Sequence, residues 1–84
     1  MTPPALSPRI ESALRPKSSI DLDDDALTVV EVDWVDRRYR DALKAGALPI
    51  AAPHDDVGMG AWRRAARLHD PDARCDILIW SSRG

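Results

Sequence analysis

Residues 55–70 read DDVGMGAWRRAARLHD, and the structure assigned to this stretch decides the fold. The spacing predicts a helix. Asp55 or Asp56 can cap it, and Pro71 lies just past its end. Trp62, Ala65, Ala66 and Leu68 would then face inward, with Arg63, Arg64 and Arg67 facing water. Gly58 and Gly60 make its entry weak, because glycine is a poor helix former.

Outward from this segment the other elements follow. RCDILIW, residues 74–80, is a strand with Cys75, Ile77 and Ile79 on one face and Leu78 and Trp80 on the other. Apolar side chains on both faces suit a central or well-covered strand. ALPIAAP, residues 47–53, carries Pro49 and Pro53. Two prolines exclude a central strand and a helix interior, so it is read as an extended connector over the core.

DWVDRRYRDALKAG, residues 33–46, is a helix: Asp33 caps it, Asp36 sits in its first turn and Gly46 stops it. Its buried stripe is Val35, Tyr39, Ala42 and Leu43. LTVVEVDW, residues 27–34, alternates as a strand, with Val30, Val32 and Trp34 opposite Val29, Glu31 and Asp33. KSSIDL, residues 17–22, is its hairpin partner across the turn DDDA. SPRIESALRP, residues 7–16, is a short helix capped by Ser7, opened by Pro8 and ended by Pro16. Residues 1–6 form a loose tail. The expectation is one α+β domain over 1–84, a three-stranded antiparallel sheet with three helices packed around it.

Eighty-four residues give only a small core. No apolar run approaches the roughly 20 residues of a membrane helix. The N-terminus lacks the charged and apolar regions of a secretion signal. A cytoplasmic protein is expected. Abundant Ala, Arg, Asp and Pro, with Phe, Asn and Gln absent, point to a GC-rich bacterial genome or a phage living in one. The single cysteine, Cys75, makes no internal disulfide and no multi-cysteine zinc site. It reads either as a small buried hydrophobe or as a site for an intermolecular disulfide, giving a monomer or a Cys75-linked homodimer.

The search for reaction chemistry yields no catalytic residue, metal site or cofactor. DLDDDALTVVEV places Asp21, Asp23 and Asp25 at calcium-loop positions, but Ala26 stands where glycine is needed and Val32 where glutamate is needed. His54, Asp55 and Asp56, and likewise His69 and Asp70, read as caps and solvated ends. GMGAWR lacks the third glycine of a phosphate loop and no strand leads into it. An Arg-rich helix bearing Arg63, Arg64 and Arg67 beside Trp62 would suit a small DNA- or RNA-binding regulator. Against direct nucleic-acid binding stand the net charge of −2 and the absence of Asn and Gln.

IDLDDDALTVVEVDWVD, residues 20–36, holds seven carboxylates and no Lys or Arg. Turns and helix starts account for some of them. Repulsion among uncompensated like charges costs stability, which argues for a use. Alternate residues on a strand face lie roughly 6–7 Å apart, so Glu31 and Asp33 would form a regular row, extended by Asp21 and by Asp23, Asp24 and Asp25. These six are the candidate partner-binding residues. Such a row imitates a nucleic-acid backbone and fits a basic groove.

A tiny acidic α+β chain carrying IDLDDDALTVVEVD resembles the small phage-encoded anti-CRISPR proteins. That family shares no common motif, so the resemblance rests on size, charge and style over the whole chain. It implies steric inhibition of a type I CRISPR surveillance complex, with the acidic face competing against target DNA and no enzymatic activity. It also implies a basic nucleic-acid-binding protein complex as partner, without a membrane. Arg37, Arg38 and Arg40, next in the sequence, would either rim the acidic face or neutralise part of it.

Overall fold

The computed structural model describes residues 6–17, 21–22, 27–57 and 62–82, with residues 21–22 described by their backbone. The elements run α1 (Pro8–Leu14), β1 (Asp21–Leu22), β2 (Leu27–Glu31), α2 (Val35–Lys44), β3 (Leu48–Asp56), β4 (Arg63–Asp70) and β5 (Cys75–Ser81). The sheet order is β1-β2-β5-β4-β3. β5 pairs parallel to β2 and antiparallel to β4, while β1–β2 and β3–β4 are antiparallel. Among the described residues the domain is therefore two helices on a mixed sheet of four full strands with a two-residue fifth at one edge.

This overturns the expected three-stranded antiparallel sheet with three helices. The error lies in residues 55–70. Ala66, Leu68 and Asp70 are buried at a period of two and face the helices, while Arg67 and His69 alternate with them. Ala65, Ala66 and Leu68 satisfy helical spacing equally well, so periodicity over this short run does not discriminate. The expected cap residues, Asp55 and Asp56, end β3 and pair with Arg64 and Arg63 of β4. Gly58 and Gly60 lie outside the described residues. Trp62, expected inside, is 45% exposed.

The connector 47–53 is extended, as read, but Leu48–Asp56 is paired as the outer strand beyond β4. Edge strands tolerate proline because one side of the backbone needs no ladder donor. Register shifts lie between Pro49 and Ala51 and between Ala51 and His54.

Both helices pack on one sheet face. The core joins Leu6, Ile10 and Leu14 to Val30, Val32, Val35, Ala42, Ala66, Leu68, Ile77 and Ile79. A seven-residue helix is too short to persist alone; α1 is held by burying Ile10 and Leu14, each contributing about 2 kcal/mol. Leu6 is buried too, so the expected tail over 1–6 stops short of it. Ser7 occupies the N-cap position of α1, yet its side chain makes no capping bond and its Oγ is buried without a partner. The Ser7 N–H instead donates to Asp70 Oδ2 at 2.7 Å.

The end of α2 follows the sequence reading. Gly46 has φ of 110°, its N–H donates to the Leu43 carbonyl and the Ala47 N–H donates to the Ala42 carbonyl. That is the Schellman arrangement, whose left-handed position glycine fills without strain. The start differs: Trp34, not Asp33, holds the N-cap position, and Asp33 Oδ1 accepts the Trp34 N–H at 2.8 Å. No helix among the described residues is long and apolar enough to cross a membrane.

Candidate functional site

The structure divides the acidic stretch. β1 and β2 form the expected hairpin, with Asp21 opposite Val29 and Leu22 opposite Thr28. Asp23, Asp24 and Asp25 lie outside the described residues. β1 ends at Leu22 and β2 begins at Leu27, with β1 at the outer edge of the sheet. Glu31 closes the other end of β2, four residues on, or roughly 13 Å at strand rise. Asp33 lies beyond the strand, in the approach to α2.

Asp33 is also not available as a bare charge. Arg38, one turn into α2 and buried, points back at it: Nε donates to Oδ1 at 2.7 Å and Nη2 to Oδ2 at 3.0 Å. The remaining Nη1 donates to Asp41 Oδ2 at 3.1 Å. Hydrogen bonds from the Arg38 guanidinium, aided by the Trp34 N–H, hold the Asp33 carboxyl well below the usual carboxylate range. Of the two roles open to the arginines after Asp36, Arg38 neutralises.

Arg64 of β4 repeats this scheme. Its Nε and Nη2 fork onto Asp36 at 2.9 and 3.1 Å, and its Nη1 reaches Asp55 Oδ1 at 3.1 Å. The Asp36 carboxyl is lowered, first by the Arg64 hydrogen bonds. The two forks tie the start of α2 to itself and to the sheet. The sequence gives no sign of the Asp36–Arg64 pair, whose members stand 28 residues apart.

The Arg-rich helix face is dismantled by the strand geometry. Arg64 sits on the helix-covered face against Asp36, whereas Arg63 and Arg67 lie on the opposite face. There the Arg63 guanidinium stands 5.4 Å from the Trp80 ring centroid. Arg67 approaches Asp76 at 3.8 Å, and His69 Nδ1 lies 2.9 Å from the same carboxylate. His54 Nδ1 lies 2.9 Å from the Ala52 carbonyl. Among the described residues no group of three His, Cys, Asp or Glu side chains is placed to hold a metal ion.

Cys75 is buried on the helix side of β5, and the Thr28 hydroxyl donates to its sulfur at 3.7 Å. Burial pushes the thiol pKa up, keeping it protonated and unreactive. A disulfide between two copies would require β5 to turn this side chain out of the core. The thiol is expected to react with a thiol-specific reagent far more slowly in the native protein than in denaturant, and equal rates would show that the strand opens freely.

One recess of about 560 Å³ opens on the outer side of α2, lined by Trp34, Asp36, Arg37, Arg40, Asp41 and Lys44. The sequence reading gave these arginines a role only in relation to the acidic face, as its rim or its neutralising charge.

In comparisons with known proteins, no family model, no curated protein and no solved structure matches the chain.

Proposed function

We propose that this chain is a non-enzymatic binding protein that occupies the nucleic-acid path of a basic partner, as the anti-CRISPR proteins it resembles do. A type I CRISPR surveillance complex is the partner to test. The observation carrying this reading is where the acidic block enters and leaves the fold. Asp21 is paired within the outermost strand, and Asp23, Asp24 and Asp25 come in sequence between Leu22, which ends β1, and Leu27, which begins β2. Arg38, Arg64 and Arg67 are meanwhile engaged with Asp33, Asp41, Asp36, Asp55 and Asp76. The charge proposed to meet a partner is that of Asp21, Asp23, Asp24 and Asp25, with Glu31 at the far end of β2 and Asp33 already neutralised.

The purified complex is expected to lose target-DNA binding when this protein is added at moderate salt, and inhibition should weaken as salt rises. Changing Asp21, Asp23, Asp24 and Asp25 together to Asn should restore DNA binding, while Asp33→Asn should leave inhibition intact. DNA binding unaffected by the unsubstituted protein would remove this partner. Full inhibition by the fourfold variant would remove the charge mechanism.

A further inference from the structure

The recess on α2 has features that the acidic-edge reading does not use. Trp34 stands at the head of the helix with 53% of its surface exposed. Arg37, Arg40 and Lys44 follow along the exposed side, three, six and ten residues on. Two carboxylates also line the recess, and three of their four oxygens accept from other partners. Both oxygens of Asp36 accept from Arg64, and Oδ2 of Asp41 accepts from Arg38. Arg37, Arg40 and Lys44 make no ion pair among the described residues. The lining carries a formal charge of +1; Arg40 acts electrostatically on Asp36, and the Trp34 indole N–H adds a neutral donor beside the three cations.

We propose that this recess is a binding site for single-stranded nucleic acid, with the Trp34 indole stacking on a base and Arg37, Arg40 and Lys44 meeting consecutive phosphates. At a rise of about 1.5 Å per residue, the cations step along α2 by roughly 4.5 and 6 Å, and their long flexible side chains can splay to meet successive phosphates. A half-exposed indole beside a track of cations is the combination that sequence-tolerant single-strand binders use. An acidic peptide without aromatic residues would meet the cations but give the ring no stacking partner. A duplex offers phosphates but keeps its bases stacked away from the ring.

The open sheet face is a weaker candidate, since Arg63 already covers the Trp80 ring and Asp76 takes both Arg67 and His69. The proposal runs against the sequence expectation of no direct nucleic-acid contact. It is independent of the inhibitor reading, because it concerns the helix rather than the acidic edge and is tested with nucleic acid alone.

The test titrates the full chain into a fluorescent oligothymidylate and follows anisotropy over a series of salt concentrations. Three phosphate contacts to a single strand predict a slope of about −2 in log K against log salt. Replacing Arg37, Arg40 and Lys44 together by Gln should abolish binding, with an unchanged melting temperature confirming the fold. Trp34→Ala should weaken binding about tenfold with the slope retained. Arg9→Gln, exposed on α1, should change nothing. Any of four results would overturn the proposal: no binding at the lowest salt, wild-type binding by the triple variant, equal or tighter binding of duplex, or equally effective competition by polyglutamate.

Discussion

Asp70→Ala is expected to lower the stability of the domain by about 4 kcal/mol, as measured by urea denaturation at neutral pH. The Asp70 side chain is fully buried at the end of β4 and accepts three backbone N–H groups. Oδ2 takes that of Ser7, and Oδ1 takes those of Asp72 and Ala73 at 3.0 and 3.1 Å. One carboxylate thus closes the β4–β5 turn and fastens the start of α1 to it. Hydrogen bonds to a charged acceptor contribute roughly 1.5–3 kcal/mol each, and truncation leaves their donors without a partner. Against a total of roughly 5–15 kcal/mol for a small domain, the variant sits near unfolding. Asp70→Asn separates the two roles: its amide oxygen can serve the turn, but its NH₂ then meets the Ser7 N–H, so an intermediate loss is expected. A loss below about 1 kcal/mol in the alanine variant would mean that water replaces the carboxylate and the clasp is not structural.

Asp70 also shows what the sequence concealed. In RLHDP it has the look of a solvated helix end before a proline. Its defining partner, Ser7, is 63 residues away and uses a backbone group that any residue type supplies. The same limit applies to β4. Its alanines fit two periodicities, and the choice is made by strands on either side: β5 aligns Ile79 with Ala66 and Ile77 with Leu68, and β3 aligns Asp55 with Arg64. Elements with local signals were legible. α2 has a sharp glycine stop and a 3.6-residue stripe, β5 has apolar residues on both faces, and β2 alternates at a period of two. The parallel pairing of β2 with β5 was not legible, because it depends on recognising β3 and β4 as strands.

The candidate site was legible to a similar depth. The carboxylate count of residues 20–36 is a fact of sequence, but which charges remain available depends on distant arginines. Arg38 lies close enough to Asp33 for the neutralisation to be entertained in advance. Arg64 was assigned to solvent because the segment was read as a helix. Once β4 is a strand, its alternation turns Arg64 toward α2 and leaves Arg63 and Arg67 behind. That single change of secondary structure removes the basic helix and leaves Arg37, Arg40 and Lys44 as the cations of α2 that make no ion pair among the described residues.

Arg38→Ala is expected to cost about 2–3 kcal/mol at neutral pH, with the loss shrinking as the pH falls. The buried guanidinium serves Asp33 through a fork and Asp41 through its third edge, and its aliphatic stem lies within the packed side of α2. Asp33 is 42% exposed, so water can solvate it after the change, and the cost falls short of that for a fully buried pair. Arg38→Met retains much of the packing and should recover about 1 kcal/mol of the loss. Arg38→Lys retains the charge but loses the fork, and should fall between Met and wild type. The pH dependence identifies the electrostatic part. The folded-state pKa of Asp33 lies below its ordinary value of 3.8, so the stabilisation is fully present above that value and is lost as the pH falls toward the folded-state pKa. Wild type and Arg38→Met should therefore converge in stability from about pH 4 downward, with Asp36 and Arg64 still giving both proteins a residual acid dependence. A difference between the two that stays constant from neutral pH to pH ~2 would assign Arg38 a packing role alone, and would return Asp33 to the set of charges available for a partner.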